Sequence, residues 1–224
     1  MAQAAAQAFP NKIDERAVLS QNIDLSPCQG KGAPCVEALM RQAGAPAEAI
    51  AFARALNFDG YLSELKRAGK IDIGTITYPF RANTNDEPVL LNGDPPLVDV
   101  WKEVGTVNMT RNTAYVAIER QYPNNYPGVP VFDSMRFTKG GGQVFVYFWE
   151  LRSPCRACDV VAVVRDAFEF DAGGRYQGAK LLGVDRKVAA AKPAPKPAPP
   201  STPPAESYAP PPPPTVCVGP FCLR

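Results

Sequence analysis

Histidine is missing from all 224 residues. Its absence removes Ser-His-Asp and Cys-His nucleophilic catalysis, His-ligated zinc and haem, and the usual near-neutral general base. Any catalysis would fall to carboxylates, lysine, tyrosine or cysteine. Excess charge is missing too. The formal net charge is +2, whereas a dedicated nucleic-acid binder carries a basic field. No stretch approaches the roughly 20 apolar residues that a membrane-crossing helix needs. The densest apolar run is interrupted by Arg165 and Asp166. Phosphate loops are absent, because neither 140–142 nor Gly173-Gly174 is followed by Lys-Ser/Thr and a helix. Asp72, Asp86, Glu87, Asp94 and Asp99 are clustered in sequence but lack calcium-loop spacing. Two of them could still form a general acid/base pair. No cofactor and no metal is expected, and the composition favours a non-enzymatic role.

What is present is a sheet. Residues 143–152, 159–170 and 175–184 read as three consecutive strands. Phe145, Tyr147, Trp149 and Leu151 fall on one face of the first, with Val144, Val146 and Phe148 on the other. In the second, Val160, Ala162, Val164, Phe168 and Phe170 share a face. Such alternation is the period-2 signature of a pleated strand, and Val and aromatic residues suit it.

Upstream, the pattern becomes helical. Residues 13–21 suggest a short helix, 35–42 a second and 46–57 a third, with Pro46 suited to a first turn. Asp59 reads as the cap of a fourth, with Tyr61, Leu62 and Leu65 as its buried stripe and Gly69 as its end. Residues 70–78 return to period 2. Residues 88–91 run as a strand into Asn92-Gly93, a pair that tolerates the positive φ of a tight turn. Residues 97–104 fit a helix or a strand. Residues 107–121 read as a strand around Met109, Tyr115, Ala117 and Ile118. Residues 121–130 form a loop held open by Pro and Asn, and 131–138 another strand.

Helices followed by strands imply an α+β fold: N-terminal short helices packed on one antiparallel meander of about six strands. In element order this resembles the cystatin-like architecture. The expected organisation is a disordered leader over 1–12, one α+β domain over 13–188, a Pro-rich spacer over 189–216, and a disulfide-closed loop over 217–224.

Six cysteines fall in three close pairs: Cys28 with Cys35, Cys155 with Cys158, and Cys217 with Cys222. Even numbers in near-neighbour pairs point to local disulfides and an oxidising compartment. A four-cysteine zinc site from the first two pairs is the rival, but metal knuckles use tighter spacing than Cys28 to Cys35. Residues 1–8 have the small side chains found around a signal cleavage site and no apolar core of their own. Periplasmic or secreted material, not membrane-spanning, is the expectation. Asn108-Met-Thr110 matches a glycosylation acceptor.

Cys155-Arg-Ala-Cys158 could exchange disulfides, with Arg156 favouring the thiolate. Redox pairs of that kind open a helix, however, and here residues 159–164 continue as a strand. Of the 25 prolines, about half follow Lys192. Proline fixes φ and removes a donor, so this segment extends at about 3.1 Å per residue, on the order of 70 Å in all. With Lys192 and Lys196 it resembles in composition the Pro-Lys spacers of envelope-spanning transport proteins. Beyond it, a Cys217–Cys222 bridge would close a small ring presenting Val218 and Phe221. Tyr122 and Tyr126, in the Pro-rich loop, are candidate contact residues. The reading is an exported binding or scaffold protein whose tail is spacer and tether for an envelope protein partner. Thiol-disulfide exchange at Cys155 and Cys158 is one alternative. A small-ligand binder or carboxylate-dependent enzyme, with a pocket between helices and sheet, is the other.

Overall fold

The computed structural model describes residues 9–10, 12–21, 23–82 and 85–187, and the backbone of 217–218 and 221–222. The chain divides into two units, Met1–Val188 and Ala189–Arg224. The first unit is α+β. After short 3-10 turns at Glu15–Ala17 and Ser26–Cys28 come helices α1 (Ala33–Gln42) and α2 (Ala47–Ala55). Strands β1 (Tyr61–Lys66), β2 (Asp72–Thr77), β3 (Asp86–Leu91) and β4 (Leu97–Asp99) follow. Helices α3 (Val100–Val104) and α4 (Thr113–Gln121) come next. The unit ends with β5 (Tyr126–Pro127), β6 (Val131–Phe137), β7 (Gln143–Arg152), β8 (Val160–Phe170) and β9 (Tyr176–Arg186).

The strands form two sheets, not the single meander expected from their order. β1 to β4 make a four-stranded antiparallel sheet in sequence order. β7, β8 and β9 make the second, a half-barrel, with β5 and β6 both pairing along the outer side of β7. Two polar stitches join them. Gln143, 2% exposed, accepts from Ile71 N–H at 2.8 Å and donates to Ala68 C=O at 2.9 Å. Beyond β3, Asp94 N–H donates to Gly174 C=O and Tyr176 N–H to Asp94 C=O, each at 2.9 Å. The chain can come this close because Asn92 takes φ 68° and Gly93 has no side chain. A Cβ on Gly93 would lie 3.0 Å from Gly174 C=O.

Three apolar cores follow from the faces. The concave face of the half-barrel (Phe145, Tyr147, Trp149, Leu151, Ala162, Val164, Phe168, Phe170) closes over Val100 and Val104 of α3 and Ile118 of α4. One face of the first sheet (Leu62, Ile76, Val89, Leu91) packs on Phe52 of α2 and on Ile13 and Ala17. The third core lies between α1 and α2, around Val36, Met40, Ile50 and Phe58. Burying each large side chain contributes about 2–3 kcal/mol.

Two further expectations are overturned. Residues 61–66 are a strand, not the buried stripe of a fourth helix. Asn57 and Phe58 both take left-handed φ, 55° and 60°, which ends α2. Gly60 then lets the chain run beside β2, where a Cβ would meet Ile76 Cγ2 at 2.9 Å. Residues 113–121 are a helix, not a strand. Asn112 Oδ1 accepts the Tyr115 N–H at 2.9 Å and starts it. The undecided 97–104 segment is both, β4 and then α3. Residues 15–17 give only one 3-10 turn. Of the leader expected over 1–12, residues 1–8 and 11 lie outside the described residues, as does the spacer over 189–216.

Candidate functional site

The sulfur atoms of Cys28 and Cys35 are 2.00 Å apart, and those of Cys155 and Cys158 2.17 Å. Each pair is bonded internally, so the four do not form one thiolate cage. Cys28 ends the second 3-10 turn and Cys35 lies in the first turn of α1. Cys28 is 1% exposed, and both belong to the core between α1 and α2. This clip pins a loop to a helix.

The second bridge closes the turn from β7 to β8. Cys155 is exposed and Cys158 half-buried. Cys158 N–H donates to Cys155 C=O at 3.0 Å, and Arg152 Nη1 donates to Cys158 C=O at 3.0 Å. Arg156 lies 6.0 Å from the Trp101 ring centroid, so the turn folds toward α3. No helix begins at this pair. The dipole that lowers a thiol pKa in helix-borne redox motifs is therefore missing.

The two loop tyrosines separate. Tyr122 caps the end of α4 and packs against the concave core, its hydroxyl accepting from Gln121 Nε2 at 3.2 Å. Tyr126, in β5, is 45% exposed and pairs with Arg152. It thus sits at the same end of the second sheet as the Cys155–Cys158 turn. Cys217 and Cys222 are directly opposed in a separate hairpin, β10 (Cys217–Val218) with β11 (Phe221–Cys222), where Val218 faces Phe221 in register. The side chains of that hairpin are outside the described residues.

The acidic residues singled out in sequence disperse into local pairings. Asp72, 1% exposed, accepts from Arg67 Nη1 at 2.7 Å, Ala68 N–H at 3.0 Å and Asn92 Nδ2 at 2.9 Å. Asp86 accepts from Thr77 Oγ1 at 2.6 Å, and Glu87 pairs with Arg81. Asp94 pairs with Arg175 at 3.6 Å. Asp99 accepts from Lys102 N–H at 3.0 Å and caps α3.

Of these acids, Asp99 also faces a cleft. It measures about 320 Å³ between α2, α3 and the first sheet, and its walls include Leu56, Tyr78, Glu103 and Tyr176. A second cleft of about 500 Å³ adjoins it, sharing Leu56 and Tyr78 and adding Asp59, Phe80 and Arg81. Tyr176 Oη donates to Glu103 Oε2 at 3.2 Å. The Arg81 guanidinium lies 3.6 Å from the Tyr78 ring centroid. Burial, then the charges of Glu87 and Asp99, push the Tyr78 hydroxyl up to about 12.

One group escaped the sequence reading. Asp166 has no exposed surface, and its Oδ2 accepts from Trp149 Nε1 at 2.6 Å. Its register partner is Tyr147. Asp166 Oδ1 and Tyr147 Oη are both buried without a hydrogen-bonding partner. Burial pushes the carboxyl up to about 6 despite the Trp149 donor, and pushes the Tyr147 phenol up as well. The signal was there: alternation puts Asp166 on the face of Ala162, Val164, Phe168 and Phe170.

Among the described residues no helix is long and apolar enough to cross a membrane. Comparison with family models, with curated proteins and with solved structures found no match.

Proposed function

We propose that this chain is an exported, periplasmic or secreted, binding protein that engages an envelope protein partner. Residues 189–216 act as the spacer and the terminal hairpin as the contact. The observation that carries this reading is the register of that hairpin. Cys217 stands opposite Cys222 and Val218 opposite Phe221, so a bridge between the cysteines would hold a two-residue turn and fix one apolar pair. A small ring is preorganised and loses little entropy on docking. The bonded pairs Cys28–Cys35 and Cys155–Cys158 support an oxidising compartment. Tyr126, beside the second pair, is a further contact candidate on the body.

The test compares the full chain, the chain ending at residue 191, and the Cys217→Ser/Cys222→Ser variant. All should unfold at the same urea midpoint, since the body is common to the three. Association with envelope protein should fall by at least tenfold in the first variant and measurably in the second. Undiminished association of the shortened chain overturns the reading.

The exposure difference between Cys155 and Cys158 favours thiol-disulfide exchange as a second reading, since an exposed sulfur is the one a client thiolate can attack. Insulin reduction that survives Cys155→Ser removes it.

A further inference from the structure

The two adjoining clefts around Tyr78 have the chemistry of a ligand site that neither the tail nor the disulfides use. Ligand pockets run from about 300 Å³ upward, apolar walls around a few polar groups. Here the cleft beside α3 is about 320 Å³, and its neighbour, sharing Leu56 and Tyr78, is about 500 Å³. We propose that this cleft binds a small organic cation, a quaternary ammonium or protonated amine. Three observations point the same way.

The first is aromatic. Tyr78, Tyr176 and Phe80 line the walls, and the face of an aromatic ring attracts cations through its quadrupole. The chain already uses this attraction, because Arg81 lies on the Tyr78 ring.

The second is the balance of charge. Asp59, Asp99 and Glu103 line the clefts against Arg81 and Lys102. Arg81 is neutralised by its pairing with Glu87, which leaves Lys102 alone against the three carboxylates. An anion entering here meets carboxylates; a cation meets partners. Burial is the main reason the Tyr78 hydroxyl resists ionisation, and the carboxylates around it act in the same direction: Glu87, Asp99 and Asp59 disfavour ionisation, whereas Arg81 favours it.

The third is rigidity. Tyr176 donates to Glu103 Oε2, which holds ring and carboxylate together at the wall. Asp99 is likewise fixed by capping α3. The cation would therefore find its partners already in place.

The experiment is a nitrogen-edited NMR titration of the full chain with choline and with 3,3-dimethylbutan-1-ol, its uncharged carbon isostere. Choline should shift the amides of Tyr78, residues 99–103 and Tyr176 saturably, with the isostere at least tenfold weaker. Glu103→Gln, which can still accept from Tyr176, should weaken choline about tenfold, and Tyr78→Leu by a similar factor. Should Tyr78→Leu lose its fold, Glu103→Gln decides alone. Equal affinity for the two probes, undiminished choline affinity in Glu103→Gln, or no saturable shift with either choline or butylamine overturns the proposal. Loss of the tail in the residue-191 truncation should leave this titration unchanged, so the two proposals fail separately.

Discussion

Asp166 lies opposite Tyr147 on the inner face of the half-barrel, held by one indole donor and otherwise unpaired. Its carboxyl is pushed from 3.8 to about 6 by burial. As pH rises, the unfolded chain releases this proton first. From about pH 4 to about pH 6 the folded state therefore holds more protons, and stability falls with rising pH. The cost is complete above about pH 6 and is about 3 kcal/mol. Below about pH 4 it is absent. Asp166→Asn keeps a carbonyl for Trp149 and cannot ionise. It should be more stable than the parent by about 2 kcal/mol at pH 8 and equal to it near pH 4, read by urea unfolding at both values. The difference between variant and parent cancels every other titrating group. Equal stability at pH 8 would show the carboxylate to be solvated there. The position was legible from alternation alone; the environment was not, because burial depends on what α3 and α4 bring across the concave face.

Among elements, β7 and β8 were legible because their alternation is long and one face of each is buried almost throughout; β9 follows from them across the Gly173-Gly174 turn, although none of its residues is fully buried. The failures came where two periods coexist. In 61–66, Tyr61, Leu62 and Leu65 fit a helical stripe, yet the segment is a bulged strand whose register shifts between Leu62 and Glu64. A bulge disturbs the period-2 signal locally. In 107–121, Met109, Tyr115, Ala117 and Ile118 suggested a strand, but Tyr115, Ile118 and Tyr122 lie at helical spacing and all pack against the concave core. Tertiary packing overrode β-propensity, and the readable sign was Asn112, whose carboxamide caps the first turn. Asn112→Ala should destabilise the protein by about 1 kcal/mol, and Asn112→Asp should restore most of that. Denaturant unfolding of the three proteins checks this. Equal stability of parent and alanine variant would mean that packing alone holds α4.

At the scale of the molecule, the division into two sheets was not legible. The strands follow one another as a meander would, and the stitches that join the two sheets, Gln143 to Ile71 and Asp94 to Gly174, link residues far apart in sequence. The pairing of Cys28 with Cys35 and of Cys155 with Cys158 was legible, because neighbouring cysteines need no tertiary information to find each other. Its consequences differ between sites. Cys28–Cys35 lies within an apolar core and joins a loop to α1, whereas Cys155–Cys158 closes an exposed turn. Constraint of the unfolded chain grows with loop length, and the sequence separations are 7 and 3. Replacing Cys28 and Cys35 by alanine should therefore cost about 2–3 kcal/mol, the chain entropy plus packing lost from the core, and the same change at Cys155 and Cys158 less than about 2 kcal/mol. Alkylation of denatured, unreduced protein should label none of the six cysteines, and all six after reduction. Labelling without reductant would remove the oxidising compartment from the functional reading. A reversed order of the two stabilities would show instead that the β7–β8 turn, with Arg156 near Trp101 and Tyr126 beside it, is the more dependent on its clip.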